Sequence, residues 1–403
     1  MKANPDINDS LRGEGEDAAR ARHDKAWAEK GNGRDHSAID HTIAAYDEWL
    51  VLENHTPIYA MLGTIAANFM PGDAVWTGLI GPPSSAKTEL LNSTSMIPQV
   101  VPAATLTVAG LLSGSPRKQY YKGAKGGLLR QIGDFGILVL KDFGSILSMH
   151  TESKAEVLAA LREIYDGAWT RHLGTDGGRT LSWVGKLGLV FGCTAVIDAH
   201  YAVMGAMGER FLLNRLTPIK GGQFRQALKH KGTATAQMRK ELAEAVAKLF
   251  ANRKAEARPI EEHEIERIDK VISLVVRLRG SIQRDRTSRD IEFVFGEEGT
   301  ARIGLTLERL LGGLDVLGVE RALALDVVET VAMDSVPPIR RAAYEYLTPN
   351  GGCTTASTTT ISTALRLPQG TVRRTLEDLT AYGLLRRDSQ GQGKADLWTA
   401  QKV

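Results

Sequence analysis

The sequence predicts an α/β fold: a parallel sheet covered by helices, then a helical segment, then a small α+β unit. Three observations carry this. Short all-apolar runs at 74–80, 136–140 and 187–193 alternate with helical stretches such as 154–165, the pattern of strands buried on both faces. A glycine-led loop at 81–88 joins the first run directly to a helix. From 338 onward, two short helices, a turn, a third helix and a two-stranded ribbon follow in order.

Each part has its own signal. Residues 1–38 are rich in Ala, Gly and charged side chains with little apolar periodicity, and are expected to be a flexible polar tail with helical character around 18–30. Ile43, Tyr46, Trp49 and Leu50 recur at helical spacing, and 57–69 reads as a second helix. Pro71-Gly72-Asp73 makes a turn before the first strand. The α/β core is expected over 39–220 and a charged helical lid over 221–336. Pro337-Pro338 is a plausible boundary to the last unit, 337–403.

With 403 residues and 43% hydrophobic side chains, the chain has room for two or three domains with sizeable cores. No apolar run approaches the ~20 residues needed to cross a membrane, and the acidic amino terminus (Asp6, Asp9, Glu14, Glu16) does not read as a signal peptide. The two cysteines, Cys193 and Cys353, stand in dissimilar contexts, so neither a disulfide framework nor a metal cage is expected. A cytoplasmic setting is the default. A net charge of only +3 means that nucleic-acid binding must be argued from local patches.

The loop Gly81-Pro82-Pro83-Ser84-Ser85-Ala86-Lys87-Thr88 fits G-x-x-x-x-G-K-[ST] except that Ala86 replaces the second glycine. Such loops aim backbone N–H groups at phosphate oxygens from a helix amino terminus. Lys87 is expected to reach the β and γ phosphates of ATP and the Thr88 hydroxyl to sit on Mg²⁺. Ala86 is compatible as long as the position does not need positive φ. A turn in which Lys and Thr coincide is the bland alternative. ATP chemistry also asks for a carboxylate at the end of a neighbouring strand. The strand 137–140 is followed by Lys141-Asp142-Phe143, so Asp142 is the candidate for the metal role, the water-orienting role, or part of both. With one carboxylate where two are usual, a site that binds ATP and hydrolyses it slowly is the alternative.

In their order, these motifs resemble the AAA+ ATPases, and within them the clade of the MCM helicases and the enhancer-dependent transcription activators, over about residues 40–336. The family usually ends the second acidic strand in Asp-Glu, where this chain has Lys141-Asp142. The clade inserts a pore-facing loop in its second helix. Here that segment contains Arg117, Lys118, Tyr120, Lys122 and Lys125, with Gly-Ala-Lys-Gly-Gly in place of the activators' Gly-Ala-Phe-Thr-Gly-Ala. Basic residues interleaved with tyrosine suit a phosphate backbone and base stacking; a solvated basic loop is the alternative. Residues 169–186 read as a hairpin that resembles the clade's pore hairpin, with Arg171, His172, Arg179 and Lys186 as nucleic-acid contacts and Trp169 and Trp183 as core residues. Thr194 matches the first sensor. Arg210 is the first choice and Arg215 the second for an arginine finger acting on a neighbouring subunit, with a surface ion pair as the alternative. Arg302 resembles the second sensor.

The carboxyl-terminal unit resembles a winged helix. Its recognition helix, 371–382 with Thr371 as N-cap, would present Arg373, Arg374 and Thr375 to DNA, and its wing Arg386, Arg387 and Lys394. Residues 338–403 hold nine Lys/Arg and five acids while the rest of the chain is nearly neutral. Docking to a protein is the alternative use of such a unit. The resemblance thus implies a ring-forming, hexameric ATPase that moves on DNA, with ATP and Mg²⁺ as cofactors and replication or regulatory proteins as further partners. An ATP-switched DNA-binding regulator without unwinding activity, and a non-DNA remodeller, are the other two readings.

Overall fold

The computed structural model describes residues 37–113, 126–174, 178–200, 210–219, 221–222, 225, 228, 234–254, 256–285, 287–296, 299–348, 354–391 and 394–401. Most of the expected tail and the basic loop bearing Arg117, Lys118, Tyr120, Lys122 and Lys125 lie outside the described residues.

The first helix, α1 (Ala38–Trp49), starts where Ser37 and Asp40 cap it reciprocally. It is followed by α2 (Thr56–Phe69), β1 (Trp76–Ile80), α3 (Lys87–Asn92), β2 (Val100–Ala103), α4 (Val108–Leu111), α5 (Leu128–Ile132) and β3 (Phe135–Leu140). Next come α6 (Gly144–Leu147), α7 (Thr151–Tyr165), a hairpin of β4 (Ala168–Leu173) and β5 (Arg179–Val184), β6 (Lys186–Cys193), α8 (Val196–Ala199) and β7 (Phe211–Arg215). The five strands β2-β3-β6-β1-β7 form one sheet in that order, and every pairing is parallel. Ile80 is level with Cys193 on one side and Arg215 on the other, so the loop at 81–88 leaves the sheet at its carboxyl edge. Most of the segment between Arg210 and Leu216 is this strand, and Phe211 to Leu213 are buried in it.

Alternate strand residues serve two cores, as the period of 2 requires. Leu79, Ile137, Val139, Val190 and Leu212 face α1 and α2, including Ile43, Tyr46, Ile58 and Met61. Trp76, Leu138, Leu189, Phe191 and Leu213 face the other side, with Phe143, Leu161 and Ile164. There the aromatic rings lock edge to face: Phe191 and Phe211 lie 5.3 Å apart and Trp76 and Tyr165 5.0 Å apart. Trp169 and Trp183 are paired across the β4–β5 hairpin and buried on this core, as expected for them.

The segment expected as a lid is largely a third layer. It contains α9 (Ala234–Ala251), α10 (Glu262–Arg279), a hairpin of β8 (Ile282–Arg284) and β9 (Ile291–Val294), α11 (Thr300–Val316) and α12 (Arg321–Asp334). α11 lies directly on α2, where a side chain at Gly313 would run into the Gly63 carbonyl. Backbones this close leave room for glycine alone. The buried faces of α9 to α12 belong to the same core as α1 and α2.

The last elements are α13 (Pro338–Leu347), β10 (Thr355–Ser357), α14 (Thr358–Leu365), α15 (Gln369–Ala381), β11 (Leu385–Asp388) and β12 (Leu397–Ala400). Their three strands pair antiparallel in the order β10-β12-β11. Ile361, Val372, Leu376, Leu379 and Trp398 form the centre, which is continuous with the larger core through Ala343 and Leu347. α15 starts two residues before the expected Thr371, because Pro368 already supplies a helix-entry φ of −59°. Thr375 is buried and donates to the Thr371 carbonyl, so it does not face a groove. Among the described residues no helix is long and apolar enough to cross a membrane.

Candidate functional site

The carboxyl edge of the sheet gathers four chain exits. Gly81 N–H donates to the Cys193 carbonyl (3.1 Å), Leu216 N–H to the Ile80 carbonyl (2.7 Å), and Phe143 N–H to the Gly192 carbonyl (2.8 Å). The ends of β1, β3, β6 and β7 are therefore laced together. β6 stands between β1 and β3, and this break in sequential order is the place where an open α/β sheet holds its ligand.

The loop wraps around its own lysine. Lys87 Nζ donates to the carbonyls of Gly81 (2.7 Å) and Pro82 (2.6 Å) and to Ser85 Oγ (3.0 Å). Burial pushes its ammonium pKa down, against the nearby Asp142 carboxylate, which favours the charge. Ser84 and Ala86 adopt φ of 62° and 63°. This corrects the expectation for Ala86: the position does use the left-handed region, and an alanine occupies it at a cost of ~1 kcal/mol. Left-handed residues in such a loop help to turn backbone N–H groups toward an anion. Pro82, Pro83 and Ser84 are exposed on the outer wall, Ser85 is buried beneath it, and Thr88 is exposed on the first turn of α3.

Asp142 sits just past β3 with Oδ1 accepting the Gly144 N–H at 2.9 Å, which fixes the carboxylate at the start of α6. Cys193 lies in the same neighbourhood; burial, with the Asp142 charge second, raises its thiol to about 11, so it is a buried neutral residue. Thr194 follows directly, half-buried, its hydroxyl 3.5 Å from the Val196 N–H. Lys87, Asp142 and Thr194 are thus brought together. An oxygen donor set of one hydroxyl and one carboxylate fits Mg²⁺ held chiefly by phosphate and water.

Glu89 and Arg239 were missed by sequence reasoning. Arg239 of α9 grips both Glu89 oxygens (2.7 and 2.8 Å) one residue past Thr88. That pair, with Lys141 nearby, holds the Glu89 carboxyl below its usual range. Their separation of 150 residues leaves no local signal.

Other expected residues fall elsewhere. Arg210 is at the amino edge of the sheet beside Trp76 and Phe211, only 8% exposed, with Nη2 bonded to both oxygens of Asp166 (2.7 and 3.0 Å) and its guanidinium over Tyr165. Arg215 is at the carboxyl edge, near the loop, but forks onto Asp198 (2.7 and 2.9 Å) and donates Nε to the Asp334 carbonyl (2.8 Å). Both arginines are therefore ion-paired within the chain. Arg302, the expected second sensor, does not lie beside this chain's own loop. α11 runs antiparallel to α2, with Arg309 bonded to the Ala67 and Pro71 carbonyls before β1. Arg302, two turns earlier, is exposed on the Tyr165 side, away from the loop.

In the hairpin, Arg171 is not free for nucleic acid: Nη1 donates to the Leu112 carbonyl at 2.9 Å, because residue 171 shares the inward face with Trp169. His172 is exposed and bonded to Thr180, and Arg179 is half-buried. Lys186 is half-buried, donates to the Met70 carbonyl (2.6 Å), and is pushed by burial to about 8, so it too is structural. In the carboxyl-terminal unit Arg373, Arg374, Arg386, Arg387 and Lys394 are all exposed. Arg373 pairs with Glu377, Arg386 with Asp388, and Arg387 with Asp396.

No family model matches the chain, and no curated protein matches it. Among solved structures, the chain is similar to the apo form of the NrS-1 carboxyl-terminal region at 10% identity, over 90% of this chain and 75% of that one. The TM-score is 0.29, which carries no argument about function.

Proposed function

We propose that the chain binds and hydrolyses ATP at the loop 81–88 and couples this to DNA, as an AAA+-type motor that works as a ring. The observation that supports it most is the wrapped Lys87 just after the left-handed Ser84 and Ala86, at the sheet's switch point and near Asp142. In this reading Lys87 and the loop N–H groups take the β and γ phosphates, and Thr88 and Asp142 hold Mg²⁺. Magnesium supplies charge neutralisation at the phosphates. Asp142 and Thr194 orient the attacking water. The unit from α13 to β12, whose order resembles a winged helix, takes the DNA, with Arg373, Arg374, Arg386, Arg387 and Lys394 as contacts.

A second reading, an ATP-switched DNA-binding regulator, is favoured by Lys141-Asp142, which gives the site a single strand-end carboxylate. It is also favoured by Arg210 and Arg215, whose guanidiniums are ion-paired within their own chain.

The test is ATP turnover with and without DNA across salt concentrations. A motor shows DNA-stimulated turnover, and unchanged turnover in DNA leaves the switch reading. Lys87→Ala is expected to lose nucleotide binding or hydrolysis. Asp142→Asn is expected to bind and not turn over; full activity in that variant removes Asp142 from the mechanism.

A further inference from the structure

We propose that the turn between β8 and β9 and the amino-terminal half of α15 form one surface that contacts the phosphate backbone of duplex DNA. This rests on the proposed DNA role of the carboxyl-terminal unit. It adds to that role residues from outside the unit.

The joint is a single guanidinium. Arg284 Nη1 donates to the Arg289 carbonyl at 2.8 Å, and its Nη2 donates to the Arg374 carbonyl at 2.9 Å. The backbones that carry Arg289 and Arg374 are thus held on either side of one planar group. The same guanidinium binds Glu377 (3.1 Å) and Asp378 (2.6 Å), and Arg340 takes the other Asp378 oxygen (3.0 Å). Half-buried, with five fixed donors, arginine makes a rigid joint of this kind. A second anchor holds the base of the hairpin, where the Tyr382 hydroxyl bonds to the carbonyls of Ser281 (2.7 Å) and Phe295 (2.8 Å).

The consequence is a sorting of charge. Asp378 of α15 is turned onto Arg284 and Arg340, and Glu377 is shared by Arg284 and Arg373 (3.0 Å), while Arg289, Arg373 and Arg374 stay exposed. Among the described residues of the turn, Asp285 Oδ1 accepts the N–H groups of Thr287 (2.8 Å) and Ser288 (2.6 Å), and both residues and Arg289 are exposed. Asp290 is the exposed acid beside them. Hydroxyls and arginines at a tip are phosphate-contacting groups. Phe293 and Phe295 are exposed but lie toward the base of the hairpin rather than among the described residues of its tip. A duplex whose groove takes α15 would therefore meet the turn along its backbone.

The experiment titrates the full chain with a labelled duplex oligonucleotide at several salt concentrations. The variants are Arg289→Gln, Arg374→Gln, the double variant, and Arg289→Lys as a rescue. Each Gln variant is expected to weaken binding and to reduce the slope of log affinity against log salt by about 0.9, and the double variant by about 1.8. Arg289→Lys should restore most of the slope, which a merely structural effect would not. If Arg374→Gln acts and Arg289→Gln does not, the shared surface is overturned while the DNA role of α15 stands. If neither acts on a chain that binds duplex elsewhere, or the chain binds no duplex, the DNA role of α15 fails and this surface with it. A slope loss seen only with single-stranded DNA also overturns it.

Discussion

The Asp334 carboxylate receives the Arg215 backbone N–H at 2.7 Å, and this bond ties the last strand of the sheet to the helix leading into the carboxyl-terminal unit. Asp334 is 6% exposed and also takes the Asn214 amide (3.1 Å) and Arg341 Nη1 of α13 (2.9 Å). Arg215 in turn forks onto Asp198, four residues past Thr194. A chain of charge-assisted bonds therefore runs from α8, just past β6, to α13. Asp334→Ala leaves a backbone N–H and an amide without acceptors and Arg341 with Glu345 alone. The expected loss is about 3 kcal/mol in denaturant unfolding. Because Leu216 N–H holds Ile80 just before Gly81, nucleotide affinity should fall as well. Arg341→Met, which keeps Asp334 bonded to β7, should cost about 1 kcal/mol and spare nucleotide affinity. Equal losses in the two variants would place the stabilising partner in α13 rather than in β7.

Ala86 holds φ of 63° where a glycine would carry no steric cost. Ala86→Gly relieves roughly 1 kcal/mol of left-handed strain and adds unfolded-chain entropy of about 0.5 kcal/mol. A net gain of about 0.5 kcal/mol is expected, with nucleotide binding kept or tightened. Ala86→Val puts a β-branched side chain in the same conformation and should lose about 2 kcal/mol and most binding. Isothermal titration with ATP and thermal unfolding measure both. Weaker binding in the glycine variant would mean that Ala86 fixes the loop for its ligand.

Legibility followed sequence distance. The strands at 76–80, 135–140 and 186–193 were readable because burial on both faces leaves mostly apolar residues, and the Trp169/Trp183 hairpin because its alternation is local. The loop was readable because its residue types and its order, strand then helix, are local too. The left-handed φ at Ala86 was not, since no residue type announces it. β7 was hidden because Phe211–Arg215 carries both apolar and arginine signals, and the latter were given weight. Arg302 was misplaced for a different reason: its helix was recognised, but helix direction depends on the Gly63–Gly313 contact, whose partners lie far apart in sequence. The same distance hid Asp334, 119 residues from Arg215.

Glu264 gives the fold a defined weakness to acid. It is 1% exposed and is gripped by Arg321 through both oxygens (2.8 Å each) and by Arg258 (2.6 Å). Those bonds, Arg321 first, hold its carboxyl down to about 2 from an ordinary 4.5. With the folded value below the unfolded one, the stabilisation is present above about pH 4.5 and is lost as pH falls toward 2. Its size is on the order of 3 kcal/mol. Asp334 acts with opposite sign: burial raises its pKa above the ordinary 3.8, so its share is present below that value and is lost as pH rises through the higher folded value. Unfolding free energy measured between pH 2 and 6 should therefore climb from about 2, weaken in its rise above 3.8 as the fall from Asp334 sets in, and stop rising by about 4.5, where the gain from Glu264 ends. Glu264→Gln should flatten the climb and, by leaving Arg321 without its bidentate anion and Arg258 with Glu261 alone, lower stability at pH 7 by about 3 kcal/mol. A variant that kept the wild-type slope would show that the acid sensitivity resides in another carboxylate.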